Sequence, residues 1–175
     1  CSGLTAILNA NGASTYNWTG GLSGNPATTP VLTGTQTYTV TGTTNGCTGT
    51  AIATVSVTPN PVVSVNSPSI CNGQTATLTA AGASTYTWSG GLGSGTSVTT
   101  PALASSQTYT VTGTANGCTG TATASVSVKP NPTVTVNNPS ICSGQTANLA
   151  ANGATTYTWT GGLGSGPNVT TPVLS

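Results

Sequence analysis

Charge is the first thing missing from this sequence: one Lys, no Arg, no Asp, no Glu and no His in 175 residues. Met and Phe are absent as well. Acid–base catalysis at neutral pH draws on His, Asp, Glu or Lys, and Lys129 alone represents that set. A Ser or Thr nucleophile has no ordinary base to activate it. Calcium and magnesium sites want carboxylates, and zinc sites want His or clustered Cys. No two of the five Cys lie closer than 24 residues, so neither metal class is expected. A net charge of +1 offers no positive face for a phosphate backbone, which excludes nucleic acid as a partner. The composition therefore predicts a protein that is not an enzyme and holds no cofactor.

Long apolar runs are missing too. No stretch approaches the roughly 18–20 residues that a spanning helix needs, so no membrane span is expected. Low charge can accompany disorder, but disordered chains are poor in β-branched and aromatic residues. Here 40 Thr, 3 Trp and 5 Tyr argue the opposite. No apolar stripe of helical period is present anywhere.

What is present is a repeat. Cys1-Ser2-Gly3, Cys71-Asn72-Gly73 and Cys142-Ser143-Gly144 head three copies, spaced 70 and then 71 residues apart. Each copy carries a Tyr and a Trp two residues apart: Tyr16/Trp18, Tyr86/Trp88 and Tyr157/Trp159. Gly-Gly-Leu and Thr-Thr-Pro follow in all three, ending at Pro30, Pro101 and Pro172. Two copies continue through Gln-Thr-Tyr-Thr-Val-Thr-Gly-Thr to Asn-Gly-Cys, with Tyr38 and Tyr109 inside and Cys47 and Cys118 at the end. The one-residue change of period falls in the loop after Gly-Gly-Leu, where an insertion costs little.

Within each copy the alternation has period two. Ala6/Leu8/Ala10, Tyr38/Val40, Ala51/Ala53/Val55/Val57 and Val63/Val65 each share one face of an extended strand, with mainly Thr, Ser or Asn opposite. Thr and Val suit a pleated surface. Breaks rich in Gly, Asn and Pro recur every 8–12 residues, which reads as an all-β sandwich. In immunoglobulin order, strand A is expected near 62–66, B over 75–80, C over 85–89, short strands around 96–104, F over 107–114 and G over 119–128. A Trp on C and a Tyr at the start of F are core positions in such sandwiches. Tyr16, Trp18, Tyr38, Tyr86, Trp88, Tyr109, Tyr157 and Trp159 are therefore expected in the core. The domain boundaries expected are 1–59 (without strand A), 60–130 (complete) and 131–175 (without F and G). They read as tandem Ig-like sandwiches of about 70 residues, arranged head to tail.

The strings Ser-Ile-Cys-x-Gly-Gln-Thr-Ala-x-Leu, Thr-Tyr-Thr-Trp and Gln-Thr-Tyr-Thr-Val-Thr-Gly-Thr-x-Asn-Gly-Cys resemble the Ig-like or PKD-like repeats of giant secreted Bacteroidota surface proteins. Such repeats occur in gliding-motility adhesins and other long filaments exported by the type IX system. The resemblance implies an extracellular, cell-surface location and a structural stalk whose partners are neighbouring repeats, other filaments or an external surface. Related PKD modules carry an acidic segment after strand C, where this sequence reads Trp-Ser-Gly-Gly-Leu at 88–92. A cation site from those relatives does not carry over.

In an exported protein the five Cys suggest disulfides. Pairing within repeats joins Cys1 to Cys47 and Cys71 to Cys118. Pairing between repeats joins Cys1 to Cys118 and leaves Cys47, Cys71 and Cys142 to partners outside these residues. Strand direction favours the second, because the A–B and F–G connections lie at opposite ends of one sandwich. A six-residue strand separates them by roughly 20 Å, against the 4.4–6.8 Å or so between bridged Cα atoms. The linker prolines Pro59, Pro61, Pro130 and Pro132 restrain their own φ and the residue before them, which predicts stiff joints.

Two rival functions follow from the same residues. Exposed aromatics would make a carbohydrate- or surface-binding module, and Trp88 is the discriminating residue. Thr-rich faces that bond laterally would make a self-assembling sheath or pilus-like fibre. A flat ice-binding array needs ranked Thr pairs at short spacing, which a 70-residue period does not supply. Asn17-Trp18-Thr19 and Asn168-Val169-Thr170 fit the short N-glycosylation pattern.

Overall fold

A computed structural model describes residues 1–175, which form strands and turns with no helix. The first repeat contains β1 (Ile7–Leu8), β2 (Thr15–Trp18), β3 (Ala27–Thr28), β4 (Gln36–Thr44) and β5 (Cys47–Val55). The second contains β6 (Ser64–Val65), β7 (Ser69–Cys71), β8 (Thr77–Ala81), β9 (Thr85–Trp88), β10 (Gly93–Ser94), β11 (Ser97–Thr99), β12 (Gln107–Ala115) and β13 (Cys118–Lys129). The third contains β14 (Thr135–Val136), β15 (Asn148–Asn152), β16 (Thr158–Trp159), β17 (Gly164–Ser165) and β18 (Asn168–Thr170). Two compact units result, Cys1–Val128 and Lys129–Ser175, so the first two repeats share one unit.

The second repeat is a complete sandwich. A five-stranded sheet in the order β10-β9-β12-β13-β7 faces a three-stranded sheet in the order β11-β8-β6. Leu78, Ala80, Trp88, Val98, Val111, Ala124 and Val126 fill the space between them. The strand A expected near 62–66 is β6, and a second short strand, β7, follows it where a connection was expected. β6 pairs with β8, whereas β7 crosses to the edge beside β13. Cys71 therefore ends a short strand rather than sitting in an A–B loop, because Pro68 breaks the extended run between β6 and β7.

The long hairpins β4–β5 and β12–β13 have the same register, closing at Thr44↔Cys47 and Ala115↔Cys118. Their two-residue turns are Asn45-Gly46 and Asn116-Gly117, with positive φ at all four residues. That is the Asn-Gly preference of a turn whose twist matches the strands it joins.

Three recurring side-chain bonds explain motifs that period-two patterning leaves unexplained. The second Thr of Thr-Thr-Pro is buried in the first two repeats. Thr100 Oγ1 accepts from Ala76 N (3.0 Å) and donates to Pro101 O (2.8 Å), and Thr29 does the same with Ala6 N and Pro30 O. In the third repeat Thr171 Oγ1 accepts from Ala147 N. The Tyr that precedes each Trp turns its hydroxyl back three residues: Tyr86 accepts from Ala83 N and donates to Ala83 O, and Tyr157 treats Ala154 likewise. Asn66 brackets β8 through Thr79 N and Thr77 O, as Asn137 brackets β15 through Ala150 N and Asn148 O.

Trp18, Tyr38, Tyr86, Trp88 and Tyr109 are buried. Tyr16, Tyr157 and Trp159 depart from the expected core and are only half-buried. For Tyr16 the difference is a neighbour: Val63 packs against the cluster that holds Tyr86, and none of residues 1–175 takes that place beside Tyr16. For Tyr157 and Trp159 the reason is the sheet: β16 pairs with β17 alone, whereas β9 lies between β10 and β12.

Candidate functional site

The covalent cross-link of this chain lies at the joint between its first two repeats. Cys1 and Cys118 are joined there by a disulfide with Cα atoms 5.4 Å apart. Cys118 opens β13 at the Asn116-Gly117 turn and is buried, and Cys1 lies at the head of the first repeat. The bridge thus spans 117 residues and links one repeat to the next.

The within-repeat pairs are not formed. Cys118 bonds to Cys1, and Cys47, Cys71 and Cys142 are free and exposed. Cys47 and Cys118 occupy the same hairpin position, yet one is exposed and the other buried. Burial at this position follows the presence of a joined neighbour.

The connecting peptide is held on both sides. Ser2 N donates to Thr58 O (2.9 Å), and Asn60 Nδ2 donates to Ser2 O (3.3 Å). Asn60 is the middle residue of Pro-Asn-Pro, so the linker is hydrogen-bonded to the repeat it leaves. On the other side the Pro61 and Val62 carbonyls lie where a Cβ on Gly120 and on Gly82 would stand. A side chain at either glycine would displace the incoming backbone. Val63 Cγ2 occupies the space over Gly113, beside Ala83 and Tyr86. Pro59 is exposed and Pro61 half-buried at this joint; Pro130 and Pro132 are exposed in the second unit. Asn60 and the two close-approach glycines were not singled out by sequence reasoning. Their signal is recurrence with the repeat: Gly12, Gly82 and Gly153 each follow the same strand, and Gly120 returns the position of Gly49.

Two of the three Trp candidates for ligand stacking face inward, and Trp159 is half-buried. Trp88 is 4% exposed and donates its Nε1–H to Gly95 O (2.9 Å), and Trp18 is 5% exposed.

Residues 59–132 match the family described as "Ig-like domain CHU_C associated". The repeat is Ig-like. That match spans the complete sandwich together with the Pro-Asn-Pro elements at its two ends. Among solved structures, Sidekick-1 immunoglobulin domains 1–5 are 15% identical, with a TM-score of 0.32, over 67% of this chain and 33% of that one. The N-terminal eight Ig domains of Down Syndrome Cell Adhesion Molecule isoform 1.30.30 are 13% identical, with a TM-score of 0.32, over 86% of this chain and 26% of that one. The chain spans about a third and about a quarter of those two structures. No curated protein matches it. No helix of the Ig-like chain is long and apolar enough to cross a membrane.

Proposed function

We propose that this chain is a run of structural stalk repeats in an extracellular filament or adhesin at a bacterial surface, of the kind used in gliding motility. The observation that carries the reading is the bridge from Cys1 to Cys118, which crosses a repeat boundary already held by Asn60 and Ser2. A covalent tie across a short proline-restrained linker resists bending and bypasses the linker under tension. It also belongs to an oxidising compartment, where disulfides persist. The reading is non-catalytic, in keeping with a chain that lacks Asp, Glu and His. Burial of Trp18 and Trp88 removes from the first two repeats the platform that a sugar-binding module would need.

Pulling the chain from its two ends tests the stalk reading. With the bridge intact, residues 1–118 are short-circuited and contribute almost no length. Reductant should release their 117-residue loop, adding about 400 Å of extended chain at roughly 3.4 Å per residue. Equal extension with and without reductant would remove the mechanical argument.

A further inference from the structure

The outward face of the long hairpin in the second repeat is a grid of threonines. Thr114, Thr112 and Thr110 of β12 stand directly opposite Thr119, Thr121 and Thr123 of β13. On the other side of β12, Thr85 and Thr87 of β9 stand opposite Thr114 and Thr112. All eight side chains are exposed or half-buried, and none of their hydroxyls bonds within the chain. Ser89 shows the contrast, since its Oγ accepts from Thr110 N at 2.8 Å. The first repeat has the same register, with Thr43 opposite Thr48 and Thr41 opposite Thr50. Ile52 stands there in the place of Thr123, opposite Thr39, and is 74% exposed.

The ranks of Thr that a 70-residue period does not supply between repeats are therefore supplied inside one hairpin. Residues on one face of an antiparallel strand recur at about 6.8 Å, and neighbouring strands lie about 4.7–4.9 Å apart. Both spacings are close to the repeats of water oxygens on the prism face of hexagonal ice. Thr is stiff at χ1, so the array gives up little side-chain freedom on meeting an ordered partner.

Other partners find little to hold. A charged one meets a single charged side chain, Lys129, at the last position of β13. A stacked sugar wants an aromatic face, and Tyr86, Trp88 and Tyr109 lie on the buried side of these strands. A second copy wants a large interface with an apolar centre, and the facing residues of this grid are all Thr. A lattice of water is uncharged and needs only hydroxyls and methyls at fixed repeats. The exposed Ile52 methyls suit it as well as a Thr does.

We propose that the outward faces of the β12–β13 and β4–β5 hairpins bind ice. Adjacent strands rotate by roughly 20–25°, so the lattice match rests on the two strands of each hairpin, and each repeat carries its own small patch. Patches joined in one chain add avidity without any new contact. The proposal goes beyond the stalk reading and does not use the Cys1–Cys118 bridge, so its failure would leave both standing.

The test uses the oxidised 175-residue chain. Single ice crystals held in its solution should grow with facets, and their freezing temperature should fall below their melting temperature. A dye-labelled chain should be taken up into a growing ice hemisphere. Thr50→Lys with Thr121→Lys places one charge in each patch at an exposed position, and should lose the facets, the freezing gap and the uptake. Thr77→Lys with Thr79→Lys adds the same charge to the outward face of the opposite sheet, and should keep all three. Circular dichroism and melting temperature confirm that both variants fold. Round crystals with no freezing gap in the parent chain would overturn the proposal, as would equal behaviour of the two variants. Dimers, or retention on an insoluble polysaccharide, that vanish only with Thr50→Lys and Thr121→Lys would give the face to another partner and overturn it too.

Discussion

Cys1 and Cys118 are 117 residues apart in the chain and 5.4 Å apart at their Cα atoms, with a repeat boundary between them. Closing so long a loop removes about 5 kcal/mol of unfolded-state entropy on the chain-entropy account, and native disulfides typically contribute about 2–5 kcal/mol. Cys1→Ser should therefore destabilise the Cys1–Val128 unit by an amount in that range. Cys1→Ser with Cys118→Ser should cost about the same as Cys1→Ser alone, since both remove one bond. Urea unfolding of the three proteins checks this. Losses that add would mean that Cys118 stabilises the unit independently of its bridge.

Acid should leave the fold almost untouched. Stability changes with pH only where folded and unfolded states bind different numbers of protons. Between about pH 4.5 and 7 the side chains that ordinarily titrate are Asp, Glu and His, and this sequence has none. With no such group to gain or lose a proton on unfolding, the slope is zero from either direction. The melting temperature of the oxidised chain should stay constant to within about 2 °C over that window, and EDTA should not move it. An acid transition, or a fall on adding EDTA, would reveal a bound ion that these residues do not suggest.

How far the sequence could be read follows from which features are periodic. The run expected over 107–114 is β12, Gln107–Ala115, and the run expected over 119–128 is β13, Cys118–Lys129. Both alternate between a hydroxyl residue (Thr, with Ser late in β13) and an inward residue, so their faces are visible in the residue order. The direction of those strands also places the Asn116-Gly117 turn at the end of the sandwich where Cys1 is found. Contacts between sheets carry no such period. Gly82 and Gly120 matter because Val62 and Pro61 pass against them, and their place within a strand says nothing of that approach. The extra strand β7 depends likewise on which sheet edge is free to receive it. Tyr16, Tyr157 and Trp159 fit the inward pattern as well as Tyr86 and Trp88 do. Their partial exposure comes from neighbouring strands, which alternation along one strand does not register.

The same limit applies to the three tryptophans, which look interchangeable in the residue order and are not. Trp88 Nε1 donates to Gly95 O and Trp159 Nε1 to Gly166 O, each at 2.9 Å. Trp18 Nε1 is buried without a partner. The cause is the one-residue difference in repeat length: five residues separate Leu22 from Thr28, where six separate Leu92 from Thr99. In the shorter loop Asn25 turns its side chain to Ala10, bonding both its N–H and its carbonyl, and no backbone oxygen reaches the indole. Replacing either Trp by Phe sacrifices packing, but Trp88→Phe also breaks a bond, leaving the carbonyl of exposed Gly95 to water. Trp18→Phe instead removes a donor that was already unsatisfied. An unpaired buried group costs about 1–3 kcal/mol, so Trp88→Phe should be the more destabilising by at least about 1 kcal/mol in urea unfolding. Equal losses would show that the Trp18 indole is bonded in solution after all.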